Sequence, residues 1–183
     1  MNYFPSADKL FSLGFSEREE HHEDFTNWTK HIDGNRYYRI TRRKVVIEPT
    51  EEIRLQEISG HKSYGAHRKK QNFQGYFPSE AFFDELLIAA GWVPTKNKYV
   101  PSPEKLASIR FYPSPLSTSR DSCWYRKMSE RGWGHHLTID SAGRVVFEEM
   151  SFGTVNYPRF IGVLPSEEFF DELLKCFEGN DVV

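Results

Sequence analysis

The side chains best equipped for chemistry are two histidine pairs, His21-His22 and His135-His136. An imidazole titrates near neutrality and can serve as general acid, general base or metal ligand. His135-His136 falls on an expected strand, where successive side chains point to opposite faces, so the two cannot reach one site. His21-His22 sits in the run Glu17-Arg18-Glu19-Glu20-His21-His22-Glu23-Asp24. That run has ligands for a divalent cation but nothing that aims them at one point, and a solvated linker accounts for it. Two basic clusters stand out beside the histidines: Arg42-Arg43-Lys44, and Lys62 with His67-Arg68-Lys69-Lys70. The second shares the segment 60–75, read as a loop, with Tyr64 and Phe73, and a basic loop with aromatic residues can grip single-stranded nucleic acid. The candidate binding residues are therefore Lys62, His67, Arg68, Lys69, Lys70, Arg42, Arg43 and Lys44.

No G-x-S-x-G, P-loop, G-x-G-x-x-G or H-E-x-x-H pattern occurs. Cys123 and Cys176 lack the His neighbour or helix start that would activate a thiol, and both read as packing residues. No catalytic residue, metal site or cofactor is expected. His136-Leu137-Thr138 resembles the H-x-T motif of two-histidine phosphoesterases. Those enzymes carry two such motifs, one in each half. The first half of this chain offers Tyr38-Arg39-Ile40-Thr41 instead, so one of the two imidazoles that the resemblance implies is missing.

The composition is that of an ordinary globular chain. Aromatic residues are 15% and charged residues 27% of 183 positions, enough to build a core and solvate a surface. The net charge of -2 divides evenly along the chain, so neither half is a polycation built to coat nucleic acid. Two cysteines make no disulfide framework, and a reducing, cytoplasmic setting is expected. No signal-peptide pattern and no membrane-spanning apolar stretch is present.

The strongest pattern is internal. Residues 75–87 read G-Y-F-P-S-E-A-F-F-D-E-L-L and residues 162–174 read G-V-L-P-S-E-E-F-F-D-E-L-L. Residues 3–15 and 99–111 also match in register, with Tyr3, Pro5, Ser6, Lys9 and Leu10 set on Tyr99, Pro101, Ser102, Lys105 and Leu106. Trp28 then falls on Trp124, and Leu55–Ser59 on Phe147–Ser151. A rival alignment sets Val45–Glu48 on Val145–Glu148. Two tandem copies of one α+β unit are expected, residues 1–92 and 97–183.

Each copy reads as αβββα. A short helix capped by Ser6 or Ser102 opens it. Three strands follow, near 24–32, 37–41 and 53–58 in copy one, and near 121–128, 135–139 and 144–150 in copy two. The connection between the last two strands is longer in copy one. A helix capped by Ser79 or Ser166 closes the copy, with an apolar stripe through Phe82, Phe83, Leu86 and Leu87, or Phe169, Phe170, Leu173 and Leu174. The expected domain is an antiparallel three-stranded meander with two helices packed on one face. Double-stranded-RNA-binding domains have a similar element order, but the Glu and Asp at the start of the closing helix would repel a phosphate backbone.

The leading expectation is a non-catalytic macromolecule-binding protein that binds and blocks a protein partner, in the general character of immunity proteins and defence inhibitors. The alternative is single-stranded nucleic-acid binding through residues 60–75. A phosphoesterase-like enzyme using His136 ranks third. No membrane role is expected.

Overall fold

The computed structural model describes residues 3–18, 25–44, 51–60, 67–95, 97–127, 134–151 and 154–178. The first half contains α1 (Ala7–Ser12), β1 (Ser16–Arg18), β2 (Phe25–Asp33), β3 (Arg36–Lys44), β4 (Glu51–Gly60), β5 (His67–Gly75) and α2 (Glu80–Ala89). The second contains α3 (Pro103–Ser108), β6 (Tyr112–Pro113), β7 (Asp121–Lys127), β8 (Gly134–Asp140), β9 (Arg144–Ser151), β10 (Thr154–Val163) and α4 (Glu167–Glu178). The chain divides into two compact units, Met1–Phe83 with Cys176–Val183, and Asp84–Lys175.

The expected three-stranded meanders are incorrect. Each half supplies five consecutive antiparallel strands and two short helices in place of three strands and two helices. Two strands per half escaped the sequence reading. β1 and β6 are three and two residues long, too short for any alternation to show. β5 carries six basic or amide residues in succession, His67-Arg68-Lys69-Lys70-Gln71-Asn72, and no apolar residue before Phe73. The segment 60–75 is thus not one loop: residues 67–75 form a ladder with β4, in which Lys70 stands opposite Glu57 and Phe73 opposite Leu55. β10 contains Pro158, which obscures a strand; the register against β9 shifts on either side of it.

One cross-strand row organises each unit. In the first, Trp28, Ile40, Leu55 and Phe73 stand opposite one another on β2, β3, β4 and β5, all buried. The helices cover this face. Phe11 of α1 meets Trp28 edge-on at 5.3 Å, and Phe82 of α2 meets Phe73 at 5.8 Å. In the second unit the row is Trp124, Leu137, Phe147 and Phe160. Phe111 packs on Phe147 at 6.2 Å, and Phe169 of α4 on Phe160 at 6.1 Å. These rows set Leu55 on Phe147, so the alignment of 45–48 with 145–148 does not hold.

The helices start alike. Each follows a Pro-Ser pair, and each serine hydroxyl accepts a backbone N–H three residues on: Ser6 from Lys9 at 3.2 Å, Ser79 from Phe82 at 3.1 Å, Ser102 from Lys105 at 3.1 Å and Ser166 from Phe169 at 3.0 Å. Lys9 and Lys105 then tie the first helix to the last in each half, through Glu80 at 2.6 Å and through Glu167 and Asp171 at 2.8 Å. After α1 the chain turns through Gly14 at φ 82; after α3 the same turn is made by Arg110 at φ 65, a conformation glycine adopts at lower cost. No described helix is long and apolar enough to cross a membrane.

Two outcomes follow for stability. Ser79→Ala and Ser166→Ala each remove a cap and should cost about 1 kcal/mol in denaturant melts. Phe170→Ala empties a fully buried site and should cost roughly 3–5 kcal/mol. Unchanged midpoints in either melt would refute the packing described.

Candidate functional site

Alternation along the strands fixes what faces away from the helices. Residues one step from the Trp28–Phe73 row project from the opposite side of the sheet. In the first unit they form three rows of their own. Phe25, Arg43 and Glu52 stand opposite one another, then Asn27, Thr41, Arg54 and Gln74, then Thr29, Arg39, Gln56 and Gln71. Every residue of these three rows but Phe25 is polar; the next row, His31, Tyr37 and Ile58, includes the buried Ile58. No described helix packs on this face, yet Asn27, Thr29 and Gln56 are buried among their polar neighbours.

Hydrogen bonds hold the rows in place. Thr41 Oγ1 donates to Asn27 Oδ1 at 2.7 Å, and Arg39 Nη2 to Gln56 Oε1 at 2.7 Å. Arg54 Nη2 donates to Glu52 Oε2 at 2.9 Å, and Gln74 Nε2 donates to the other oxygen of Glu52. Gln71 Nε2 in turn holds Gln74 Oε1 at 2.7 Å. The rows enclose a pocket of about 320 Å³ lined by Arg39, Arg43, Arg54, Asn27, Thr41 and Gln56. The Nε atoms of Arg39 and Arg54 are buried with no acceptor among the described residues. Arg43 is exposed at the rim.

The equivalent face of the second unit carries different chemistry. Cys123, Thr138, Val146 and Ile161 form one row, and Tyr125, His136, Glu148 and Pro158 another. His136 is buried, its Nδ1 3.3 Å from Glu148 Oε2, and its Nε2 has no partner among the described residues. A carboxylate on Nδ1 orients an imidazole as in a catalytic dyad, but the other nitrogen is enclosed and has no nucleophile bonded to it among the described residues. Cys123 Sγ lies 3.8 Å from Thr138 Oγ1. The position matching His136 in the first unit is Arg39, each standing two residues before the matched Thr138 and Thr41.

His135 occupies the other face, against Phe147 at 4.9 Å. Arg126 Nη2 donates to its Nδ1 at 3.0 Å, which leaves the ring proton on Nε2. Burial first, then the charges of Arg126 and Arg159, pull its pKa from the ordinary 6.5 down to about 3. Arg126 lies over the Phe111 ring at 5.0 Å, and Arg159 Nε is 3.5 Å from Glu149. This cluster belongs to the core.

The structure scatters the basic residues picked out by sequence. Arg42 and Arg43 point to opposite faces; Arg42 lies over the Phe4 ring at 4.8 Å, while Arg43 joins the pocket. Lys44 ends β3 opposite Glu51. His67, Arg68 and Lys69 stand on β5 opposite Gly60, Ser59 and Ile58. Lys70 is exposed, 3.8 Å from Glu57. Lys62 and the pair His21-His22 lie outside the described residues. Sequence reasoning missed Arg39, Arg54, Asn27, Thr41 and Gln56. Their signal was alternation: Arg39-x-Thr41-x-Arg43 and Arg54-x-Gln56 interleave with Ile40, Ile53 and Leu55. Among the described residues no group of three His, Cys, Asp or Glu is placed to hold a metal. Comparison with protein-family models, curated proteins and solved structures finds no match.

His135 makes stability depend on pH. Its folded pKa of about 3 lies below the unfolded 6.5, so the unfolded chain takes up this proton first. Its contribution is complete above pH 6.5 and is lost as pH falls toward 3, at about 1.4 kcal/mol per pH unit. In His135→Gln, which keeps an acceptor for Arg126, that part of the pH dependence should vanish. Equal slopes for variant and parent in urea melts from pH 6 to 4 would show that the imidazole is not held neutral.

Proposed function

We propose that the protein is a non-catalytic binding protein, and that the helix-free sheet face of the first unit docks a protein partner through acidic groups. The observation that carries this reading is the pocket itself, where three arginines converge and, among the described residues, one carboxylate, Glu52, is bonded to them. Arginine is the side chain suited to planar, bidentate recognition of carboxylates at interfaces. The pocket sits on strands, so its donors are held in place before a partner arrives.

Two rival readings have less support. Single-stranded nucleic acid is gripped by stacking aromatics set among cations, and Phe25 is the one aromatic lining this pocket. The described basic residues that motivated that reading lie on β3 and β5, and Lys62 lies outside the described residues. Phosphoester chemistry at His136 would need a second general acid or base, and the matched position is an arginine, always protonated.

The test compares Arg43→Glu with Lys70→Glu, equal charge changes inside and outside the pocket. Both side chains are exposed, so folding should survive in both. A protein retained by the parent chain should still bind Lys70→Glu and bind Arg43→Glu at least about tenfold more weakly, roughly 1.4 kcal/mol. Submicromolar, steeply salt-dependent binding of a single-stranded oligonucleotide, lost in Arg43→Glu, would replace this reading with the nucleic-acid one.

A further inference from the structure

We infer that the pocket is a clamp for an extended acidic segment in which carboxylates alternate along the chain, each carboxylate taken by a separate arginine. This deepens the reading of the same face as a docking surface and rests on it.

The spacing comes from the register. Arg39 stands opposite Gln56, and Arg54 opposite Thr41, so Arg39 and Arg54 are diagonal neighbours on β3 and β4. Arg43 stands opposite Glu52 and is the diagonal neighbour of Arg54 on its other side. Diagonal neighbours lie about 7–8 Å apart. The three guanidinium-bearing positions therefore step along the face at a nearly constant interval. In an extended peptide, side chains two apart share one side at about 7 Å, since each residue rises about 3.3 Å. A glutamate at every second position meets that interval. A single phosphate group is too small to reach Arg39 and Arg43 together.

The donors are set for this use. Gln56 fixes Arg39 and Glu52 fixes Arg54, each through one Nη2 bond. Each guanidinium keeps its Nη1 for a carboxylate, while its Nε is buried and has no acceptor among the described residues. Arg39 and Arg43 have no ion pair among the described residues, so an acidic ligand neutralises charge that the fold leaves standing.

The second unit shows that the scaffold does not require these arginines. By register, Arg39, Arg43 and Arg54 correspond to His136, Asp140 and Val146, and Gln56 corresponds to Glu148. The buried row beneath stays aromatic and aliphatic in both. The two faces carry different charged groups over cores of the same apolar kind, so folding does not account for the arginines.

The experiment titrates the intact protein with acetyl-Glu-Ala-Glu-Ala-Glu-amide and follows the arginine Nε–H signals by NMR. Saturable shifts at Arg39, Arg43 and Arg54 in the range of about 1 mM are expected. The Gln-Ala-Gln-Ala-Gln peptide should not saturate, and Arg39→Gln and Arg43→Gln should each weaken binding at least about tenfold. Arg43 is exposed, so its variant stays folded even if Arg39→Gln does not. Failure to saturate, equal binding of the Gln peptide, or tighter binding of a thymidine trinucleotide would each overturn the clamp. If the acidic peptide binds as described while a captured partner ignores Arg43→Glu, the clamp stands and only the docking role falls.

Discussion

Register is the constraint on which everything else in this protein depends. Trp28, Ile40, Leu55 and Phe73 must lie opposite one another to meet α1 and α2 with a continuous apolar row. A slip of one residue on any of the four strands would bring a polar side chain under the helices and an apolar one out. The same requirement that buries Ile40 and Leu55 therefore turns Arg39, Thr41, Arg54 and Gln56 outward together. The helix caps act on this indirectly. Ser79 and Ser166 fix where α2 and α4 begin, and so where Phe82 and Phe169 meet Phe73 and Phe160.

A sheet face organised in this way can change its chemistry without changing its fold. The hydrogen bond between Arg39 and Gln56 in one unit occupies the place of the contact between His136 and Glu148 in the other. Thr41 and Thr138 stay, holding Asn27 in one case and meeting Cys123 in the other. The helix side diverges less. Lys30 near the Phe15 ring at 6.0 Å answers Arg126 over Phe111, and Glu57 answers Glu149.

Much of the scaffold was legible in the sequence. The Pro-Ser starts, the Phe-Phe stripes and the central strands around Trp28 and Trp124 could be read because each depends on a local pattern. The two outer strands of each half could not. β1 and β6 are too short to alternate, and β5 shows a run of charge because its ladder, not its side chains, makes it a strand. The site was legible only in part. Arg42-Arg43-Lys44 drew attention as a cluster, but adjacency on a strand separates side chains, and only Arg43 reached the pocket. Arg39 and Arg54 lie fifteen positions apart in the chain, and only the β3–β4 register makes them neighbours.

The energetics are those the proposal of a binding face requires. Adjacent like charges on a sheet destabilise it, and half-buried guanidiniums lose hydration that unpaired edges do not recover. A fold free to optimise stability would set acid against base across β3 and β4, as Lys44 stands opposite Glu51 and Arg43 opposite Glu52 at one end. Arg39 instead faces Gln56, a neutral side chain that orients it but does not neutralise it, while Arg54 faces Thr41 and finds its carboxylate in Glu52, two residues away on its own strand. Natural sequences depart from local consistency mainly where function requires it. Here three arginines line one pocket with a single carboxylate, Glu52, bonded to one of them among the described residues, on a scaffold whose second version does without them.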